Sequence, residues 1–182
     1  MGKLVLILGP MFSGKTSKLL EYYYKYKLKY KCLLISHEKD IRYGKNVIAT
    51  HNKFSEKSQS VVNLFDALEL EEYSNCNVIL IDEGQFFDDL EKFTKQAINK
   101  DNKIVIVSGL NSDYMKKPIG QINQLIMEAD DIHFQKAICH YCPSPVDAIF
   151  SLRINSTCKD QILIGEKNSY VPVCRYHYNQ KN

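Results

Sequence analysis

The stretch from Gly9 to Ser17 reads GPMFSGKTS, and its residue types are those of a phosphate site. Gly9, Gly14, Lys15 and Thr16 fit the spacing G-x-x-x-x-G-K-[ST]. In such a loop successive backbone N–H groups turn inward and form a concavity for anions. Glycine supplies the unusual backbone angles and the close approach. Pro10, Met11, Phe12 and Ser13 complete the turn. A helix opening near Lys15, with Ser17 in its first turn, adds the positive end of its dipole. Lys15 offers a point charge for the β- and γ-phosphates of ATP, and the Thr16 hydroxyl is a ligand for Mg2+. A turn that only reversed the chain would not need the lysine. The plainer alternative is a chance match in a tight strand-to-helix turn.

A second pair suits the same chemistry. Asp82 and Glu83 end the apolar run NVILIDE. A buried strand that terminates in Asp looks like the second metal-binding element of nucleotide phosphotransferases. Ligands of parallel α/β sheets also gather at the carboxyl ends of the strands. Asp82 is therefore expected to face the magnesium, directly or through water, and Glu83 could act as a general base. The plainer alternative for Asp82 is a helix or turn cap, and taken alone Glu83 could equally be an ordinary surface carboxylate.

Cys139-x-x-Cys142 and Cys174-x-x-His177 form two further ligand pairs. Three thiolates and an imidazole suit tetrahedral Zn2+. The stretch between the pairs, residues 143–173, is longer than in compact zinc fingers. A metal there would tie the feet of a long loop and offset its closure entropy. With four protein ligands no coordination site stays open, so the expected role is structural. Neighbouring His140 and Cys158 are read as non-ligands, with His140 the second choice. Tyr170, just before VPVCRYHY, would be held by the clip and could stack on a flat ligand or pack on its own module.

These residues need a frame. KLVLILG (Lys3 to Gly9), KCLLIS (Lys31 to Ser36), NVILIDE (Asn77 to Glu83) and KIVIVSG (Lys103 to Gly109) are short runs rich in Val, Ile and Leu. Such runs mark strands buried on both faces, typical of parallel sheets. Helix-like segments alternate with them: Lys15 to Tyr30, Asn63 to Tyr73 and Asp88 to Lys100. The expected class is α/β, a P-loop NTPase-like parallel sheet with helices on both faces. The polar segment Asp40 to Ser60 reads as loop or hairpin, and Ile119 to Ala129 as a helix. DIHFQKAIC reads as a strand leading into a different module. The rhythm stops at Cys139, which predicts a domain over residues 1–138 and a small zinc-binding one over 139–182.

Composition narrows the class. The chain is 45% hydrophobic and 25% charged, which fits a globular protein and excludes disorder or a fibre. The formal charge of +3 is spread along the chain, with no concentrated basic face, so nucleic acid is not an expected partner. No apolar stretch approaches the ~18 residues that cross a bilayer. The run Leu4 to Leu8 is too short for a secretory signal. The expectation is a cytoplasmic protein without a membrane partner, where paired cysteines favour metal over disulfide.

GPMFSGKTS, KDIRYG, DEGQFF, KKPIG, the Cys139/Cys142 pair, IG followed by Tyr170, and YVPVCRYHY stand in order from Gly9 to Tyr178. In this the chain resembles the thymidine kinases of animal cytosol, many bacteria and large DNA viruses. The resemblance implies transfer of the ATP γ-phosphoryl group to the 5′-hydroxyl of thymidine, with ATP and Mg2+ as cofactors and structural Zn2+. It implies that Glu83 is the catalytic base and that Asp82 holds the Mg2+ water. It places Asp40 and Arg42 near the reacting phosphates, where Arg42 would stabilise transferring charge. It surrounds the nucleoside with Met11, Gln85, Phe86, Leu110, Tyr114, Ser151, Leu163, Ile164, Gly165 and Tyr170. Tyr114 stands where relatives often carry a stacking Phe, and Ser151 where they carry a Thr. A homotetramer or dimer is expected on the same ground.

Two rivals share the phosphate loop. A nucleoside-monophosphate kinase would carry an Arg-rich lid, but the chain has only Arg42, Arg153 and Arg175. A zinc-stabilised nucleic-acid-binding ATPase would need the basic face that is missing here.

Overall fold

A strand that is apolar at every position must be covered on both sides, and the central strands of this chain are. The computed structural model describes residues 1–40, 46–49, 55–154, 161 and 169–181. Its first half contains β1 (Lys3–Gly9), α1 (Lys15–Lys27), β2 (Cys32–His37), β3 (Val47–Ala49), β4 (Ser55–Lys57), β5 (Gln59–Val61), α2 (Glu71–Asn75) and β6 (Val78–Ile81). Its second half contains α3 (Leu90–Asn99), β7 (Ile104–Leu110), α4 (Ile122–Leu125), β8 (Asp131–Phe134), β9 (Ala137–Ile138), β10 (Asp147–Ala148), β11 (Phe150–Arg153), β12 (Tyr170–Val173) and α5 (Arg175–Lys181). The α/β class with a central parallel sheet is as expected: β5, β2, β6, β7, β1 and β8 lie side by side in that order, all parallel.

Alternate residues of each central strand enter different cores. Leu4, Leu6 and Leu8 of β1, Ile79 and Ile81 of β6, and Val105 and Val107 of β7 pack on one side with Leu90, Phe93 and Ala97 of α3. Val5, Ile7, Val78, Leu80 and Ile106 pack on the other with Leu19 and Leu20 of α1. The period-2 alternation of a strand meets the period-3.6 stripe of a helix on each face. A third cluster gathers Ala137, Cys139, Ala148, Leu152, Val171, Val173, Cys174 and Tyr178 near the C-terminus.

Several elements differ from the sequence expectation. The segment Asn63 to Tyr73 is not one helix: a 3-10 turn over Leu64–Glu69 and the short α2 are separated by Leu70 in extended conformation. The expected helix Ile119 to Ala129 shortens to α4 and a 3-10 turn, Ile126–Glu128, because Gly120 has φ 53 and cannot open a right-handed helix. α1 ends three residues early, with Leu28 exposed and Lys25 and Lys27 in its last turn. Within Asp40 to Ser60, β3 and β4 form an antiparallel pair. β5, which begins at its end, joins the main sheet beside β2. β8 is the edge strand beside β1, so DIHF completes the main sheet before β9 pairs with β10.

Candidate active site

The turn from β1 into α1 is held by its own atoms. Gly14 has φ 79, the left-handed region that glycine enters without strain. A Cβ on Gly9 would lie 2.4 Å from the Gln135 carbonyl oxygen and 2.6 Å from Ser13 Oγ, so no larger residue fits. Ser13 Oγ and Lys15 Nζ both donate to the Pro10 carbonyl at 2.8 Å. Lys15 is buried beneath the loop, while Phe12, Gly14 and Ser17 lie on its exposed side. The Met11 N–H donates to Ser151 Oγ at 2.9 Å, which brings β11 against the loop. Phe12 takes φ 64 without being glycine, a costly conformation of the kind found at functional sites.

β7 separates β1 from β6 in the sheet, so the carboxyl ends of all three open on one edge. Asp82 follows β6. Its N–H donates to the Ile35 carbonyl of β2 at 3.0 Å, which aims the buried carboxylate at α1. Thr16 Oγ1 donates to Asp82 Oδ2 at 3.1 Å, and Ser108 Oγ donates to Asp82 Oδ1. A hydroxyl and a carboxylate meeting at the mouth of an anion-binding loop are hard oxygen donors, and they fit Mg2+. Ser108 was not anticipated; its one signal is a polar residue inside an otherwise apolar strand.

Glu83 turns the chain with φ 51 and ψ 48, again left-handed and not glycine. Gln85 Nε2 donates to Glu83 Oε2 at 2.5 Å, while Gln85 Oε1 accepts the Leu110 N–H at 3.1 Å. The buried amide thus spans the ends of β6 and β7 and fixes where the Glu83 carboxylate stands. Phe86, half-buried, meets the His37 ring edge-on with centroids 5.9 Å apart. His37 Nδ1 accepts the Lys39 N–H at 2.9 Å, and burial holds its pKa below the usual imidazole value. Asp40 follows β2, half-buried, its N–H on the His37 carbonyl at 2.9 Å.

On the far side, the Tyr114 and Tyr170 rings stand 6.4 Å apart at 56°. Asp113 closes the turn that carries Tyr114: Oδ1 accepts the N–H groups of Met115 and Lys117, each at 2.8 Å, and Oδ2 accepts from Gln161 Nε2 at 3.0 Å. Tyr178 Oη donates to the Tyr114 carbonyl at 2.7 Å. Of the residues expected here, Arg42, Leu163, Ile164 and Gly165 lie outside the described residues. Gln161 and Tyr178 were missed because their partners are distant in the chain, and Asp113 because a loop aspartate reads as an ordinary surface carboxylate.

Cys139, Cys142, Cys174 and His177 converge so that their ligand atoms all lie within 4.8 Å of one another. Cys142 and Cys174 sulfurs are 3.9 Å apart, and His177 Nδ1 is 3.4 Å from each and 3.5 Å from Cys139 Sγ. Tetrahedral zinc with Zn–S of about 2.3 Å and Zn–N of about 2.0–2.1 Å spaces its ligand atoms about 3.5–3.8 Å apart. A disulfide would need sulfurs about 2.05 Å apart. Burial pushes both the Cys139 and Cys142 thiols up; hydrogen bonds from the backbone of Cys174 and Tyr141 and from Cys142 draw Cys139 down, while the neighbouring Cys139 and Cys174 sulfurs push Cys142 further up, as expected of thiols crowded together. The residues fit zinc.

The thymidine kinase family model matches residues 2–178. Thymidine kinase of Sheeppox virus (strain KS-1) is 38% identical over 178 residues, covering 97% of each chain. That of Myxoma virus (strain Uriarra) is 36% identical over 97% of this chain and 96% of its own. Thymidine kinase 1 of Dictyostelium discoideum is 37% identical over 98% of this chain and 78% of its own. Among solved structures, the flagellar accessory protein FlaH from Methanocaldococcus jannaschii has a TM-score of 0.49 at 14% identity over 80% of this chain and 76% of that one, too distant a likeness to bear on the site. A match from one end of the chain to the other, to proteins of viruses and a slime mould alike, leaves no other family to consider: the chain belongs to the thymidine kinase family.

Proposed function

We propose that this protein transfers the γ-phosphoryl group of ATP to the 5′-hydroxyl of thymidine, giving thymidine monophosphate. The observation that carries the reading is the meeting of Thr16 with Asp82 at 3.1 Å, with Glu83 next in the chain and oriented by Gln85. Backbone N–H groups of Phe12 to Gly14 and of the start of α1 would cradle the phosphates, and Lys15 would exchange the Pro10 carbonyl for phosphate oxygens. Thr16 and Asp82 would hold Mg2+, which supplies positive charge to the phosphate oxygens. Glu83 accepts the 5′-hydroxyl proton as that oxygen attacks in line. By the family resemblance Asp40 and Arg42 would act at the same phosphate end, with Arg42 countering charge on the transferring group.

Thymidine would lie between Met11, Gln85, Phe86 and Leu110 on one side and Tyr114, Ser151 and Tyr170 on the other. Leu163, Ile164 and Gly165 would offer backbone groups to the base edge. Cys139, Cys142, Cys174 and His177 would hold a structural zinc that ties this wall to a C-terminal unit over 139–182, beside a kinase unit over 1–138. Assembly as a homotetramer or dimer and residence in the cytoplasm complete the proposal. Among the described residues no helix is long and apolar enough to cross a membrane.

The test is an assay of the purified chain with ATP and Mg2+ against each nucleoside, then against single-stranded DNA. Phosphorylation of thymidine well above the other nucleosides is expected. ATP turnover driven by DNA and indifferent to thymidine would sink the reading.

A further inference from the structure

β11 carries two side chains, two residues apart, that both reach outside their own hairpin. Ser151 accepts the Met11 N–H of the phosphate loop. Arg153, two residues on, leaves the same face of the strand. Its cross-strand partner is Tyr170. Arg153 Nε donates to the Tyr170 hydroxyl at 3.0 Å, and Nη2 donates to the same oxygen. The guanidinium carbon stands 3.8 Å from the centre of the Tyr114 ring and 5.1 Å from that of Tyr170.

Two consequences follow from this geometry. A phenol oxygen has two lone pairs, so two N–H donors occupy its acceptor capacity and its own proton must point elsewhere. One face of Tyr114 is covered by the cation, which fixes the plane of the ring. A planar fork does both jobs together; a lysine ammonium is a point charge and cannot.

We infer that Arg153 is a positioning residue for the nucleoside: it locks Tyr114 and Tyr170 into one wall and thereby sets thymidine affinity without touching the phosphates. The inference rests on the thymidine kinase reading. Loss of the fork lets the two rings move independently, so binding of the base weakens while the chemistry at Glu83 is spared.

The experiment is a double-substitution cycle on the full chain: Arg153→Lys, Tyr170→Phe and the pair, each with kcat and KM for thymidine and for ATP. Arg153→Lys is expected to raise KM for thymidine about tenfold, as loss of a charge-assisted contact does, with kcat and KM for ATP little changed. In the Tyr170→Phe background the same substitution is expected to cost clearly less, since the shared hydroxyl is already gone. Zinc content and thermal midpoint, measured alongside, identify a variant that has merely lost its fold; thymidine and ATP constants moving together overturns the proposal. So does full additivity of the two substitutions, or an unchanged KM for thymidine in Arg153→Lys. If the unsubstituted chain does not phosphorylate thymidine, the thymidine reading falls first and this inference with it.

Discussion

At the scale of single residues, the site is a set of short-range obligations. Glu83 stands on a left-handed backbone and accepts a hydrogen bond from the Gln85 amide, and a glutamine in its place keeps an oxygen for that bond while losing the charge. Glu83→Gln is expected to lower turnover about 10²-fold or more, with an unchanged circular dichroism spectrum and thermal midpoint; near-normal turnover would remove Glu83 from the role of base. Gly9 shows the opposite kind of obligation. The added methyl of Gly9→Ala meets a backbone carbonyl at 2.4 Å, and backbone cannot step aside as a side chain can. That variant should lose ATP binding together with thermal stability, read by nucleotide titration and calorimetry. Gly9, Lys15, Thr16 and Asp82 were legible because motif spacing fixes where such residues sit. Ser108, Arg153 and Tyr178 were not, since each acts on a partner brought close only by the sheet or the hairpin.

Elements depend on groups that look incidental in the sequence. Lys103 precedes β7 and is buried. Its Nζ donates to the carbonyls of Tyr73 and Cys76, both at 2.8 Å, and lies 4.6 Å from the Tyr73 ring centre. It closes the C-terminal end of α2, where helix carbonyls lack partners. Lys103→Met is expected to destabilise the fold by about 2–3 kcal/mol, because two carbonyls lose a charged donor, as urea unfolding would measure. His37 ends β2 with a pKa lowered chiefly by burial. Its folded value lies below its unfolded one, so the unfolded chain takes up the proton first as pH falls. The associated stability is intact above about pH 6.5 and erodes below it, towards the folded pKa. Denaturant midpoints across pH 5 to 8 should show this erosion, and His37→Gln should remove its share. β1, β2, β6 and β7 were legible since both their faces are apolar. β5 was not, being a short edge strand whose polar residues read as loop, and β8 read as a strand but one leading into a different module, whereas it is the edge of the main sheet.

For the molecule as a whole, the apolar clusters divide the labour. The two cores of the sheet hold the phosphate loop and Asp82, whereas the third cluster holds the cysteines and the strand that bears Tyr170. Withdrawal of zinc by a chelator, or Cys174→Ser, should therefore raise KM for thymidine far more than KM for ATP, with one zinc lost per chain. Metal analysis finding none in the intact protein, or equal loss of both substrates, would contradict this. The route is short, since Tyr178 is adjacent to His177 and donates to the Tyr114 carbonyl.

The two-sided burial of β6 has a further meaning for how mutations are tolerated. Val78, Ile79, Leu80 and Ile81 are all fully buried and interchangeable in kind. A register shifted by one residue along this strand would offend neither core by hydrophobicity. It would, however, exchange the faces of Asp82 and Glu83 and move both by about 3.3 Å. Insertions and deletions here are thus policed by chemistry more than by folding, and a chain carrying one could remain soluble and well packed while silent as a catalyst.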